Sequence, residues 1–391
     1  MGVVTELRPD RFNDPGFVND LLRQHGSPLL VLDCERLREA YRNLCASLPG
    51  VTLHYAIKAL PDPTVVATLA AEGACFDIAT SGEIAMLQSL YVNPRNTIHT
   101  HPIKRDRDIR DALRFGCTTF VVDNSDELLK FVRYRGRVAL LLRVCFRSKD
   151  AKIDLSKKFG CPLEEAANLL EQAKTLGLNV KGLSFHVGSQ CSSPTAHVNA
   201  IRSCNALIRK AYSEDLAHLG ILDIGGGFPA AYDANTPAIE AYCAPLREAL
   251  SELPAWVETI AEPGRALVAD SMTCLSTVIG RARRSDRIWY YLDEGVYGAF
   301  SGQLYEQLQY PLTVLKEGPL QPSVLAGPTC DSIDIVAESI ELPELEIGDV
   351  IVGRMMGAYT AATASEFNSI PRTPIIALDA PEPQQQVAYI A

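Results

Sequence analysis

The sequence predicts an α/β protein built on a parallel (β/α)8 barrel and completed by a β-rich domain, and three observations support this. The chain has 391 residues, more than one hydrophobic core ordinarily serves, so two domains are expected. From about residue 29, short β-rich runs alternate with amphipathic helical stretches, the texture of successive βα units. From about residue 269 that alternation gives way to strand-like runs separated by Gly, Pro and paired charges.

Taken in order, the first 28 residues carry too little periodicity for a barrel strand and are assigned to the β domain. Then "PLLVLD" is followed by "CERLREAYRNLCASL", "LHYAIKA" by "DPTVVATLAAEG", "ACFDIA" by "SGEIAMLQSLY", and "TTFVVD" by "SDELLKFVRY". "VALLLRV", "GLSFHV" and "LGILDIGGG" continue the strands, with "LEEAANLLEQAKTLG" and "TAHVNAIRSCNALIRKAY" as helices between them. In the first of these helices Leu163, Ala166, Ala167, Leu170 and Ala173 recur at helical spacing. The strands are near-continuous apolar runs, as strands buried on both faces should be. The simplest closure is a barrel over residues 31–268, with a doubly wound sheet as the alternative. "CLSTVIGRA", "RIWYYLD", "SVLAG", "IDIVAES" and "DVIVG" supply the β domain, expected over residues 1–30 and 269–391. Only the tail "DAPEPQQQ" has the composition of a disordered segment.

Composition narrows the function classes. Apolar residues at 47% and charged residues at 21% are ordinary globular values. A net charge of -10 argues against nucleic-acid and anionic-membrane partners, which select clustered Lys and Arg. The opening "MGVVTELRPDRFNDPGF" has charges where a signal peptide needs an apolar core, and no run of 18 apolar residues occurs, so a soluble cytoplasmic protein is expected. Eleven cysteines without a C-x-x-C pair read as reduced thiols. Seven histidines without H-E-x-x-H spacing imply no protein-bound metal.

Several strand ends carry chemistry. "LHYAIKAL" delivers Lys58 just before the chain turns at Pro61. Such a lysine is commonly a solvated charge. Held in a partly desolvated pocket, it instead loses its proton readily and attacks a carbonyl to form a Schiff base. "SFHVGSQ" ends a strand in His186, followed by Gly188 and Ser189, and "LDIGGGFP" ends another in Gly225, Gly226 and Gly227. Glycines so placed let several backbone N–H groups approach one phosphate. "AEPGRAL" sets Glu262 beside Arg265, "AGPTCDSID" joins Cys330 to Asp331, and "MMGAYTAATASEFN" supplies Tyr359. Taken singly these are a core histidine, a tight turn, a surface ion pair, a buried thiol and a half-buried aromatic. In a barrel, the strand-end members converge on the C-terminal mouth, where active sites are built.

In the order "YAIKA", "FHVGSQ", "DIGGGFP", "AEPGRAL", "LDEGVYGAF", "GPTCDSID" and "GAYTAATASEFN", these motifs resemble the fold type III pyridoxal-phosphate decarboxylases of basic amino acids, most of all ornithine decarboxylases, from about Pro28 to Asn368. The resemblance implies an alanine racemase-like barrel followed by the β domain, with pyridoxal 5'-phosphate as cofactor. It makes Lys58 the Schiff-base lysine and Asp77, in "ACFDIATSGE", the residue that orients it. His186 is to stack on the cofactor ring, while Ser189, Gly225, Gly226, Gly227, Arg265 and Tyr359 hold the phosphate. Glu262 is to keep the pyridine nitrogen protonated, so that the ring acts as an electron sink. Alanine racemases use an arginine there, so the glutamate argues for decarboxylation. Cys330 is to return a proton to Cα. Family homodimers share their sites, which would bring Cys330 and Asp331 from the partner subunit.

Tyr305, Glu306, Asp331 and Phe367 are the expected substrate residues. In "QLYEQL" Glu306 stands where the family has aspartate, and in "AKIDLSKKFG" Asp154 stands where many eukaryotic members have arginine. The implied reaction is decarboxylation of a basic L-amino acid, with ornithine to putrescine expected, as in polyamine biosynthesis. Lysine, arginine or a conjugated diamino acid of a specialised pathway is the alternative. A decarboxylase-like binding protein without cofactor is the competing class, and Lys58, Glu262, Arg265 and Cys330 argue against it.

Overall fold

The computed structural model describes residues 10–146, 151–153 and 157–382; Asp154 and the end of the tail lie outside the described residues. The chain divides into two compact units, one of Cys34–Ala269 with Asp379–Ala391, the other of Met1–Asp33 with Asp270–Leu378.

The first unit is a closed barrel of eight parallel strands in chain order: Val51–Ala56, Cys75–Ile78, Thr97–His99, Thr119–Val122, Ala139–Val144, Val180–Phe185, Ile221–Asp223 and Glu258–Ala261. Helix starts between them follow from local chemistry. The Asp62 carboxylate accepts the N–H groups of Thr64 and Val65 ahead of Pro63, and Thr80 and Glu83 form a reciprocal capping box.

Two features depart from the expected strand set. "PLLVLD" does form a strand, Leu29–Asp33, but it pairs antiparallel with Met272–Arg284 and parallel with Ile375–Leu378, in the other unit. It is buried along its whole length, and an apolar run of that kind can fill either sheet, because periodicity does not name a partner. The barrel unit therefore begins at Cys34 rather than at residue 31. The barrel includes instead Thr97–His99 and Glu258–Ala261, strands of three and four residues too short to show a period.

Inside the barrel, Ile98, Val121, Leu141, Ile221 and Ile260 pack into one apolar cluster. Strand side chains repeat with period two, so the residues two further along, Thr100, Asp123, Arg143, Asp223 and Glu262, face the same interior nearer the strands' C-terminal ends. The interior thus has an apolar floor and a polar mouth. Gly182 belongs to the floor, where a Cβ would come within 2.2 Å of the Ile221 carbonyl oxygen.

The second unit is a mixed eight-stranded sheet built around the long strand Met272–Arg284. Its core joins Phe12, Val18 and Leu21 to Leu29, Val31, Leu275, Val350 and Val352. The N-terminal helix Pro15–His25 is held there by its apolar stripe. No described helix is long and apolar enough to cross a membrane, and no described group of three or more His, Cys, Asp or Glu residues could hold a metal ion.

Candidate active site

Three of the buried carboxyl groups at the barrel mouth, Asp77, Asp223 and Glu262, have surroundings that differ. The strand Val51–Ala56 runs into a single 3-10 turn, Ile57–Ala59, which sets Lys58 at the strand's end. The Lys58 ammonium donates to Asp77 Oδ2 at 2.7 Å. The Lys58 side chain is 44% exposed and that of Asp77 only 1%, so the amine can be reached while its partner is sealed beneath it. Asp77 also accepts the Thr100 hydroxyl. Its charge is balanced on the spot.

Asp223 and Glu262, at the ends of neighbouring strands, are hydrogen-bonded to each other deep in the mouth. Burial pushes the Glu262 carboxyl well above its ordinary range, and the charges of Asp223 and Asp77 add to the effect. Burial likewise raises Asp223, to about 6. Asp223 has donors of its own, the Gly225 N–H at 2.9 Å and the Ser184 hydroxyl at 3.3 Å. These favour its ionised form, so the shared proton sits on Glu262.

Above this pair the chain makes the glycine turn. Gly225 and Gly227 have φ of 68° and 102°, and a Cβ at 225, 226 or 227 would lie 2.1, 2.6 or 2.4 Å from a backbone oxygen. The three glycine carbonyls are tied back into the protein: Gly225 to the Glu262 N–H at 2.8 Å, Gly226 to His197 Nε2 at 3.1 Å, and Gly227 to the Cys191 N–H at 3.0 Å. In a trans peptide the N–H points opposite to the carbonyl. The N–H groups of Gly226 and Gly227 therefore face away from these anchors, and among the described residues they donate to no protein acceptor. This is a backbone cradle for an anion.

Arg265, buried at the start of a short helix, donates to the Ser189 hydroxyl at 3.2 Å and the Tyr232 hydroxyl at 3.0 Å. Ser189 begins the strand whose Cys191 anchors Gly227, so the guanidinium and the cradle are linked through three residues. His186 is partly exposed, with Nδ1 accepting the Gly188 N–H at 3.1 Å. Desolvation, then the charges of Arg143 and Lys58, hold its pKa well below the ordinary value. It is a neutral, flat ring, and its Nε2 lies 3.2 Å from where a Gly226 Cβ would be.

The β unit brings together a second set. Cys330 is exposed, 3.5 Å from the Asn368 amide nitrogen. The Tyr297 hydroxyl donates to Asp331 Oδ2 at 2.5 Å, and the Tyr297 ring stacks on Phe367 with centroids 4.3 Å apart. That hydrogen bond holds Asp331 below the usual carboxylate range and pushes Tyr297 up to about 12. Tyr305 and Glu306 end the helix Gly302–Glu306, with Tyr305 exposed and Glu306 half-buried. The Ser301 hydroxyl, which donates to the Thr360 carbonyl at 2.9 Å, ties this helix to the turn that carries Tyr359.

Four contributors were not among the sequence-derived residues: Arg143, Asp223, Tyr232 and Tyr297. Arg143 and Asp223 had a signal, a lone charge near the end of an otherwise apolar strand. Tyr232 and Tyr297 had none, since only the fold brings their hydroxyls to Arg265 and Asp331.

An amine held by a carboxylate, an anion cradle with a buried guanidinium, a buried acid and a neutral ring fit a flat group bearing an aldehyde, a ring nitrogen and a phosphate. The comparisons agree. Residues 34–269 match the family model described as pyridoxal-dependent decarboxylase, pyridoxal binding domain. A lysine/ornithine decarboxylase from Selenomonas ruminantium is 35% identical over 374 residues, covering 93% of each chain. Among solved structures, lysine/ornithine decarboxylase from Vibrio vulnificus, in complexes with putrescine and with cadaverine, is 51% identical with a TM-score of 0.89, over 93% of this chain and 98% of that one. The arginine decarboxylase of Paramecium bursaria Chlorella virus is 31% identical with a TM-score of 0.88, over 93% and 100%.

The carboxyl pair generates a pH prediction for the cofactor-free protein. Both groups have folded-state pKa values raised above their unfolded values of about 4. Their contribution to stability is therefore fully present below about pH 4 and is lost as pH rises through their folded values, about 6 for Asp223. Melting curves of the apoprotein should show Tm falling as pH rises through that range, and Glu262→Gln should flatten the fall. An unchanged slope in the variant would mean the pair does not share a proton.

Proposed function

The chain belongs to the pyridoxal-dependent decarboxylases, and from that premise we propose that it removes the α-carboxylate of L-ornithine to leave putrescine and CO2. That it is a pyridoxal-phosphate-dependent decarboxylase of basic amino acids rests on the lysine/ornithine and arginine decarboxylases among its relatives. The observation that carries the substrate class is the acidic character of the substrate segments. Asp331 is kept ionised by Tyr297, and Glu306 stands in the segment expected to meet the substrate's far end. Both suit a terminal ammonium group. Glutamate is one methylene longer than the family's aspartate, so on an unmoved backbone its oxygens reach about 1 to 1.5 Å further, which favours ornithine over the longer lysine. Lysine is the second reading, favoured by the Vibrio vulnificus enzyme, solved with both putrescine and cadaverine.

The bound cofactor supplies an electron sink for the charge left on Cα when CO2 departs. The protein's residues would hold and tune it. Lys58 is the amine for covalent attachment, and Asp77 fixes its position and its charge. Buried Glu262 is stabilised as an anion only beside a cation, which suits it to hold a proton on the ring nitrogen. His186 offers the ring a neutral face. Ser189, Gly225, Gly226, Gly227, Arg265 and Tyr359 would receive the phosphate, and Cys330 would return the proton to Cα.

The β unit that carries Cys330 and Asp331 also exposes Leu304, Tyr305, Ile333 and Phe367, large apolar side chains that support pairing with a second copy. The proposed active form is a homodimer in which each site draws on both chains. Eleven free thiols suit a reducing compartment, and we assign the protein to the cytoplasm.

Two measurements test this reading. Among ornithine, lysine, arginine and 2,4-diaminobutyrate, kcat/KM should be highest for ornithine, and Glu306→Gln should lower it at least about tenfold, or ~1.4 kcal/mol. A preference for lysine would move the assignment to the second reading, and decarboxylation of a larger conjugate alone would remove both. Mixing inactive Lys58→Ala with inactive Cys330→Ala should restore up to about one quarter of wild-type activity through mixed dimers with one whole site. No recovery despite proven subunit exchange would place both residues in one chain's site.

A further inference from the structure

His197 is fully buried in the helix Thr195–Ser213 and makes two hydrogen bonds, to the Tyr242 hydroxyl through Nδ1 at 2.8 Å and to the Gly226 carbonyl through Nε2 at 3.1 Å. A carbonyl can only accept, so Nε2 carries the hydrogen, and Nδ1 accepts from Tyr242. Burial pushes the His197 pKa down to about 4, which keeps the ring in this neutral form. Phe228 stacks on it with centroids 5.3 Å apart, and Phe185 meets it edge-on at 6.2 Å. The imidazole is held by two hydrogen bonds and these two ring contacts.

The carbonyl it holds is the middle one of the glycine turn. Gly226 C=O and Gly227 N–H belong to one planar peptide and point in opposite directions. Glycines have no side chain to restrict this peptide, and Gly225 and Gly227 on either side of Gly226 have positive φ. Among the described residues, the one hydrogen bond to its carbonyl comes from outside the loop, from His197.

We propose that His197 is a positioning residue for the cofactor's phosphate: by holding the Gly226 carbonyl from behind, it aims the Gly227 N–H into the anion cradle. This rests on the reading that the phosphate occupies the glycine turn. Tyr242 acts one step further back. Its hydroxyl selects the tautomer in which Nε2 is the donor.

The test compares two ligands that differ only in the phosphate, pyridoxal 5'-phosphate and pyridoxal, each titrated into apoprotein with the dissociation constant read from absorbance. Wild-type protein should bind the phosphorylated ligand far more tightly. His197→Phe keeps a ring against Phe228 but leaves the Gly226 carbonyl without its donor. It should weaken pyridoxal 5'-phosphate about tenfold while changing pyridoxal less than about twofold. Tyr242→Phe should weaken the phosphorylated ligand about threefold, and it carries the test if His197→Phe does not fold. Equal losses for both ligands, or an undiminished preference for phosphate in the folded variants, would overturn the role of His197. A wild-type protein with no preference for phosphate would overturn the reading beneath it as well.

Discussion

Two carboxyl groups, Asp223 and Glu262, lie hydrogen-bonded in a barrel mouth that already holds Asp77, and among the described residues neither forms a salt bridge, Lys58 being paired with Asp77. Asp77 is balanced by Lys58 and Thr100, but the pair is not. Burying an unpaired charge costs several kcal/mol, so the protein meets the constraint by retaining a proton. The site is built with an electrostatic deficit, which a cationic ring nitrogen placed against Glu262 would fill.

The opposite demand is met a few ångströms of chain away. Gly225 joins the two halves: its N–H goes to Asp223 and its carbonyl to the Glu262 N–H. The residues that prefer a cation therefore position the turn that prefers an anion. Arg265 strengthens the anionic end through Ser189, whose strand anchors Gly227. A ligand with a basic ring and a phosphate matches both ends of this one hydrogen-bonded frame. Changing the Asp223 carboxylate should disturb the anion-binding end as well, because it accepts the Gly225 N–H, whereas Glu262 holds the turn through its backbone N–H.

Much of this was legible in the chain, because the chemistry sits at strand ends and each strand end carries its own short signature: Lys58 before a turn, His186 before a glycine, three glycines in a row, Glu262 beside Arg265. The barrel followed from the βα alternation. Three strands did not, because Leu29–Asp33 is apolar enough for either sheet and Thr97–His99 and Glu258–Ala261 are too short for any period. Asp223 was overlooked because its neighbours, the glycines, drew the functional reading. His197 left no mark at all: a histidine on a helix's buried face reads as core, and only the folded chain shows that it meets a glycine carbonyl.

The most direct measurement of the central claim is the protonation state of the ring nitrogen, followed by nitrogen NMR on protein loaded with ring-labelled pyridoxal 5'-phosphate. The account predicts a pyridinium signal in wild-type protein that persists to pH well above the cofactor's own value, and its loss in Glu262→Gln. An unprotonated ring in the wild type, or a pyridinium signal unchanged by the substitution, would contradict it.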